Sequence, residues 1–260
     1  EEKLRKEKDE EDKMEKEKLL PNTKYFFYIS KKKIMTKKIY LLLAIFTFSL
    51  MGNVKAQKLK KFSSSIEKKI GPKTVKIPYT DVTSYLGYAE PGNEDEIKDG
   101  KKYYYIYVWI PLVAPELGIR MLSPVGKTKV NKKAIKSPEY LSNKKSADYF
   151  DTYITLEKSN IITKEQISTE AVSSASWTLL SRNDDSGEMP KQPSGSSYNS
   201  LLRYKSQTNN PLKALTAGLY RIGFTTYKTG EVKGTFLAEV AAPIKLPGVL
   251  MVKNVESLLD

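Results

Sequence analysis

Residues 102–110 read Lys-Tyr-Tyr-Tyr-Ile-Tyr-Val-Trp-Ile, a run that leaves water no face to contact. Aromatic and β-branched side chains suit a pleated strand. Alternation puts Tyr103, Tyr105, Tyr107 and Trp109 on one side, and Tyr104, Ile106, Val108 and Ile110 on the other. A strand apolar on both sides belongs inside a sheet that is itself covered, and Pro111 ends it because proline has no N–H for the ladder.

Shorter strand patterns surround it. Thr83–Tyr88 leads to a turn at Pro91-Gly92-Asn93, and Leu117–Leu122 ends at Ser123-Pro124-Val125-Gly126. Asp151–Glu157, Trp177–Leu180, Tyr198–Lys205, Gly218–Lys228 and Val232–Val240 follow. The last two read as a hairpin around Lys228-Thr229-Gly230-Glu231, with Ile222 and Phe224 facing Phe236, Ala238 and Val240. Helix is sparse: Ile162–Ala171 behind a Thr163 cap, and a short turn at 254–259. Many short strands separated by turns predict a mostly β, single-domain antiparallel β-sandwich with a few peripheral short helices. Pattern alone leaves jelly-roll and immunoglobulin-like topologies open.

Residues 37–57 have the layout of an export signal. Lys37-Lys38 precede the apolar run Leu41–Met51, which is too short to span a bilayer, and Val54-Lys55-Ala56 supplies a cleavage site before Gln57. The expectation is a signal peptide at 35–56 and a charged upstream extension at 1–34 outside the working product. A basic segment at 57–76 then precedes a sandwich domain at 77–260. The exported product is expected in the periplasm, at the cell surface or secreted.

The chain has no cysteine and no histidine. Ser-His-Asp and Cys-His catalysis, thiolate zinc and conventional transition-metal centres are thereby excluded. Removing the 14 basic and 9 acidic residues of positions 1–56 from the chain's 44 and 30 leaves 30 and 21, a net charge of +9. Lysine dominates, which suits acidic polysaccharide, lipid headgroups or acidic proteins. Arginine forks are few after residue 56 (Arg120, Arg182, Arg203, Arg221), and nucleic acid is the wrong partner for an exported protein.

The polar loop 182–197 holds Asn183-Asp184-Asp185-Ser186-Gly187. Crowded carboxylates on a turn suit Ca²⁺, which takes oxygen ligands, but the same residue types also build ordinary turns. Asn93-Glu94-Asp95-Glu96 reads as a solvated acidic turn. The tyrosines of 103–109 read as core and sheet surface, with a stacking platform as the alternative.

Several strings resemble the major surface lipoprotein family of spirochaetes. They are Lys102–Pro111, Gly118–Gly126, Phe150–Tyr153, Tyr198–Leu201 and Gly218–Gly234, in order from about Ile77 to Val240. The resemblance implies a jelly roll similar to the collagen-binding modules of bacterial collagenases. It also implies a Ca²⁺ site of Asp151, Thr152, Asp184, Asp185 and the Tyr198 carbonyl. Two departures stand out. Ser181-Arg182-Asn183 replaces a run of aspartates, which should weaken affinity towards roughly 10⁻⁴–10⁻³ M, and Gln57 stands where the family has a lipidated cysteine. The expected role is non-enzymatic adhesion to extracellular-matrix-like or surface polymers. A carbohydrate-active enzyme or its binding module, and a structural envelope protein, are the alternatives.

Overall fold

The computed structural model describes residues 62–259, so the expected signal peptide and upstream extension lie outside the described residues. The chain runs β1 (Ser63–Ile70), β2 (Lys73–Pro78), β3 (Asp81–Ala89), β4 (Glu96–Lys98), β5 (Lys101–Ile110), β6 (Glu116–Leu122) and β7 (Ile135–Lys136). Helix α1 (Pro138–Asn143) precedes β8 (Tyr153–Ser159). A 3₁₀ turn (Lys164–Gln166) and α2 (Thr169–Ser173) precede β9 (Trp177–Asn183). Then come β10 (Ser200–Lys205), β11 (Gly218–Thr225), β12 (Gly234–Ala242), β13 (Leu250–Val252) and a 3₁₀ turn (Val255–Leu258). Leu59–Asp260 is one compact unit, and its three apolar clusters lie wholly inside it.

Two sheets, ordered β10-β6-β12-β3-β7 and β13-β5-β11-β8-β9, face each other, and β4 pairs with β5. Without the short edge strands β7 and β13, the orders become β3-β12-β6-β10 and β5-β11-β8-β9. Successive strands alternate between sheets except for β8 and β9, which are neighbours in one. The first strand lies beside the last in one sheet, and the second beside the next-to-last in the other. That nesting is a jelly roll. The 102–110 strand is internal as expected, flanked by β11 on one side and by β4 and β13 on the other.

Its inward residues Tyr104, Ile106, Val108 and Ile110 join Ile154, Leu156, Ile222, Phe224, Phe236 and Ala238 in the interior between the sheets. Phe224 is the centre of an aromatic seam. Its ring lies 4.5 Å from Phe236, 5.5 Å from Tyr104 and 6.1 Å from Phe150, centroid to centroid. A second cluster covers the outside of the β6-β12-β3 sheet with Phe62, Tyr79 and Met189. There Gly118 is required, since a Cβ would fall 2.3 Å from the Tyr79 ring. A third cluster closes Trp109 and Leu219 under Ile161, Ile167, Val172 and Leu258.

The hairpin expected at 228–231 is not one. β11 pairs with β5 and β8, whereas β12 pairs with β3 and β6, so the chain crosses here from one sheet to the other. Phe224 and Phe236 do meet, but across the sandwich. A glycine-containing turn between two alternating strands fits either arrangement, and only the other strands competing for the same ladder positions decide. The expected helix at 162–171 is two short pieces instead. Gln166 bonds back to the Ile162 and Thr163 N–H groups, and Ser168 caps α2 by accepting from the Ala171 N–H.

The basic 57–76 segment was expected to precede the fold, yet its described part forms most of the β1–β2 hairpin. Glu116, fully buried, accepts the Ser65 N–H at 2.8 Å and the Tyr79 hydroxyl at 2.7 Å, fixing the hairpin's base to β6.

Phe224→Ala should lower unfolding free energy in urea by about 3–5 kcal/mol, because it opens a cavity where both sheets meet. Thr229→Ala at the crossing should change it by less than about 0.5 kcal/mol.

Candidate metal centre

The β8–β9 ladder brings together two acidic segments that lie far apart in sequence. Antiparallel pairing of Ile154 with Asn183 sets the start of β8 beside the end of β9. Asp151 precedes the one and Asp184-Asp185 follow the other. One carboxylate oxygen from each of the three lies within 4.8 Å of the others. Phe150, buried in the aromatic seam, fixes the backbone just before Asp151.

Thr152 and Tyr198 are also brought together. The Thr152 N–H donates to the Tyr198 carbonyl at 3.0 Å, and the Ser200 N–H donates to the Thr152 hydroxyl at 2.8 Å. Thr152 is fully buried while the Tyr198 side chain is exposed, so at position 198 the backbone faces inward. This link joins β8 of one sheet to β10 of the other.

The loop from 184 to 199 is held by residues that sequence reasoning missed. The Gln192 side-chain amide, buried, donates to the carbonyls of Phe150 at 2.7 Å and Ser123 at 2.8 Å. Asn199 accepts the Ser123 N–H at 2.9 Å and donates to the Pro190 carbonyl at 2.7 Å. Partners this distant leave no local signal in a polar loop.

Electrostatically the cluster is only partly compensated. Asp151 Oδ1 and Asp184 Oδ1 are buried and have no hydrogen-bond partner. Burial first, then the charges of Asp184 and Asp185, pushes the Asp151 carboxyl from its ordinary 3.8 up to about 6. Asp184 is raised by burial and by Asp185, and partly offset by Lys101. Asp185, though exposed, is also raised by partial desolvation. The cation that acts on the cluster is therefore Lys101, whereas Arg182 acts on Tyr103.

The donor set fits a hard cation. Carboxylates bind Ca²⁺ at about 2.3–2.6 Å, so oxygens sharing one ion lie no more than about 5 Å apart. A spacing within 4.8 Å meets that limit. The orphaned oxygens of Asp151 and Asp184 are what a cation would satisfy.

The other acidic loop is less solvated than expected. Asp95 accepts the Tyr105 N–H at 2.7 Å and pairs with Lys253, and Glu96 accepts the Tyr105 hydroxyl at 2.5 Å. Both line a cleft of about 690 Å³ with Tyr107, Trp177 and Arg221. The Arg221 guanidinium lies 3.8 Å from the Tyr105 ring and 4.3 Å from Trp177, and it bonds Glu157 at 2.5 Å.

Fold and cluster together define an all-β jelly-roll protein with a group of hard oxygen donors where two strand ends meet a long loop. Residues 73–251 match the family described as surface lipoproteins of the order Spirochaetales, and the chain belongs to that family of exported surface proteins. No curated protein matches the chain. Among the described residues, no helix is long and apolar enough to cross a membrane.

In chelator, Asp151→Asn should raise the melting temperature at neutral pH by relieving carboxylate crowding. The sign follows from a raised carboxyl: its contribution is full below the ordinary 3.8 and is lost as pH rises through about 6. The melting-temperature difference between variant and parent should therefore grow across that window, as read by thermal scans in a pH series.

Proposed function

We propose that the protein is a non-enzymatic, calcium-binding surface protein that adheres to extracellular-matrix-like or surface polymers. The observation that carries the calcium reading is the pair of buried, unpartnered oxygens of Asp151 and Asp184 within reach of Asp185. Asp151, Asp184 and Asp185 would hold the ion. Thr152 and the Tyr198 carbonyl would complete the set as neutral oxygens beside Asp151. The ion would neutralise charge and clamp the 184–199 loop to the ends of β8 and β9.

Adhesion is supported by membership of a surface family and by an exported net charge of +9 suited to acidic polymers. The cleft beside Trp177 favours a second reading, a carbohydrate-binding module, because aromatic rings there adjoin polar groups. Its two lining carboxylates are already engaged by Tyr105, Lys253 and Arg221, which supports binding rather than acid–base turnover. A purely structural envelope role is the remaining alternative.

Calcium about fivefold above its Kd should stabilise the protein by about 1 kcal/mol, or about 2–4 °C. Asp184→Ala and Asp151→Ala should abolish that increment in thermal scans with calcium and with chelator. If neither calcium nor the substitutions move the melting point, the calcium reading is wrong. On immobilised matrix proteins and polysaccharides, saturable binding without product supports adhesion, whereas turnover supports the enzymatic alternative.

A further inference from the structure

The β1–β2 hairpin is clamped at its base but bare beyond it. Residues 67–76 are all exposed, ten in succession, and their strands pair only with each other. The turn is two residues long with Gly71 first at φ 58, a position glycine tolerates. A two-stranded ribbon wet on both faces is marginally stable at best, so the projection gains from a partner.

The pairing sorts its side chains. Ile70 opposes Lys73 and Lys68 opposes Val75, so these four share one face. Lys69 opposes Thr74 and Glu67 opposes Lys76, and these four share the other. The first face therefore has two lysines, two aliphatics and no acid. Ile70 is 60% exposed and Val75 41%. The second face has the hairpin's one carboxylate and no aliphatic group.

We propose that the Ile70/Lys73/Lys68/Val75 face of this hairpin docks on an anionic lipid surface. Each lysine gains from the negative surface potential, and an exposed isoleucine and valine gain only where an apolar layer lies just beneath the charge. An acidic polysaccharide would reward the lysines and leave the aliphatics wet. The lysine stems extend the apolar contact while their ammonium groups stay at headgroup level. Two aliphatics and two lysines make a weak, reversible contact that orients the sandwich on a membrane and does not anchor it alone. Salt should weaken it.

The test uses the Leu59–Asp260 unit and co-sedimentation with vesicles of neutral phosphatidylcholine, or of phosphatidylcholine with roughly one-third phosphatidylglycerol. Binding is expected to the anionic vesicles only. Two charge-matched double variants separate face from net charge. Lys68→Glu with Lys73→Glu should weaken binding about tenfold or more, and Lys69→Glu with Lys76→Glu clearly less. All four positions are exposed, so both variants should melt with the parent. Because the chain has no cysteine, Ile70→Cys and Thr74→Cys each accept a single environment-sensitive dye. The dye at 70 should brighten on anionic vesicles and the dye at 74 should not. Equal loss in both double variants with a silent dye at 70 overturns the proposal in favour of diffuse charge attraction. So does binding to a soluble acidic polysaccharide that outcompetes the vesicles and is indifferent to Ile70→Ser.

Discussion

The aromatic seam of Phe150, Phe224 and Phe236 is the contact on which the rest of the molecule depends. It is where the two sheets touch, with Phe224 from one packed 4.5 Å from Phe236 of the other. Burying such rings is the main force holding a sandwich closed, and with no cysteine in the chain no cross-link can substitute for it. The same seam positions the candidate metal centre. Phe150 is held in the interior, so Asp151 and Thr152 emerge at a fixed place on the rim. Asp184 and Asp185 then reach them only because β8 and β9 are in the register that the interior imposes.

Around this rim the polar chemistry divides into two kinds. Gln192 and Asn199 hold the loop to Ser123, Phe150 and Pro190, and Ser200 bonds Thr152 between the two sheets. The three aspartates are the opposite, a group of like charges partly withdrawn from water with two oxygens unpartnered. Satisfied neighbours around an unsatisfied centre make a preorganised arrangement, because the backbone is fixed before any cation arrives. Other buried charged groups have partners: Arg120 pairs with Glu239 and Arg221 with Glu157, Glu116 accepts from Ser65 and Tyr79, and Lys158 donates to the Pro211 and Ala214 carbonyls. The aspartate cluster differs from them in leaving two buried carboxylate oxygens without a partner.

Much of the fold was legible in the residues. The two-faced 102–110 strand had to be internal, and its alternation assigned Tyr104, Ile106, Val108 and Ile110 to one side correctly. The Asp184-Asp185 pair was visible as oxygen-rich chemistry. Its partner Asp151 was reached only through family resemblance, since nothing local links residues on opposite ends of an antiparallel pair. Gln192 gave no signal at all. The apparent hairpin at 228–231 misled because its alternation describes which side chains are buried and says nothing about which strand lies alongside.

By itself, then, the sequence determined the building material. Alternation, turn residues and the lack of cysteine and histidine specified short strands, a hydrophobic sandwich and a site limited to oxygen chemistry. The tertiary structure decided who is next to whom. It sent β11 and β12 to different sheets, gathered Asp151 with Asp184 and Asp185, and folded the basic 63–78 segment into a projecting hairpin with unlike faces. The physical reason is that burial preference is a property of one residue and its near neighbours. Register, strand partner and convergence of charge come instead from the competition of all strands for one interior.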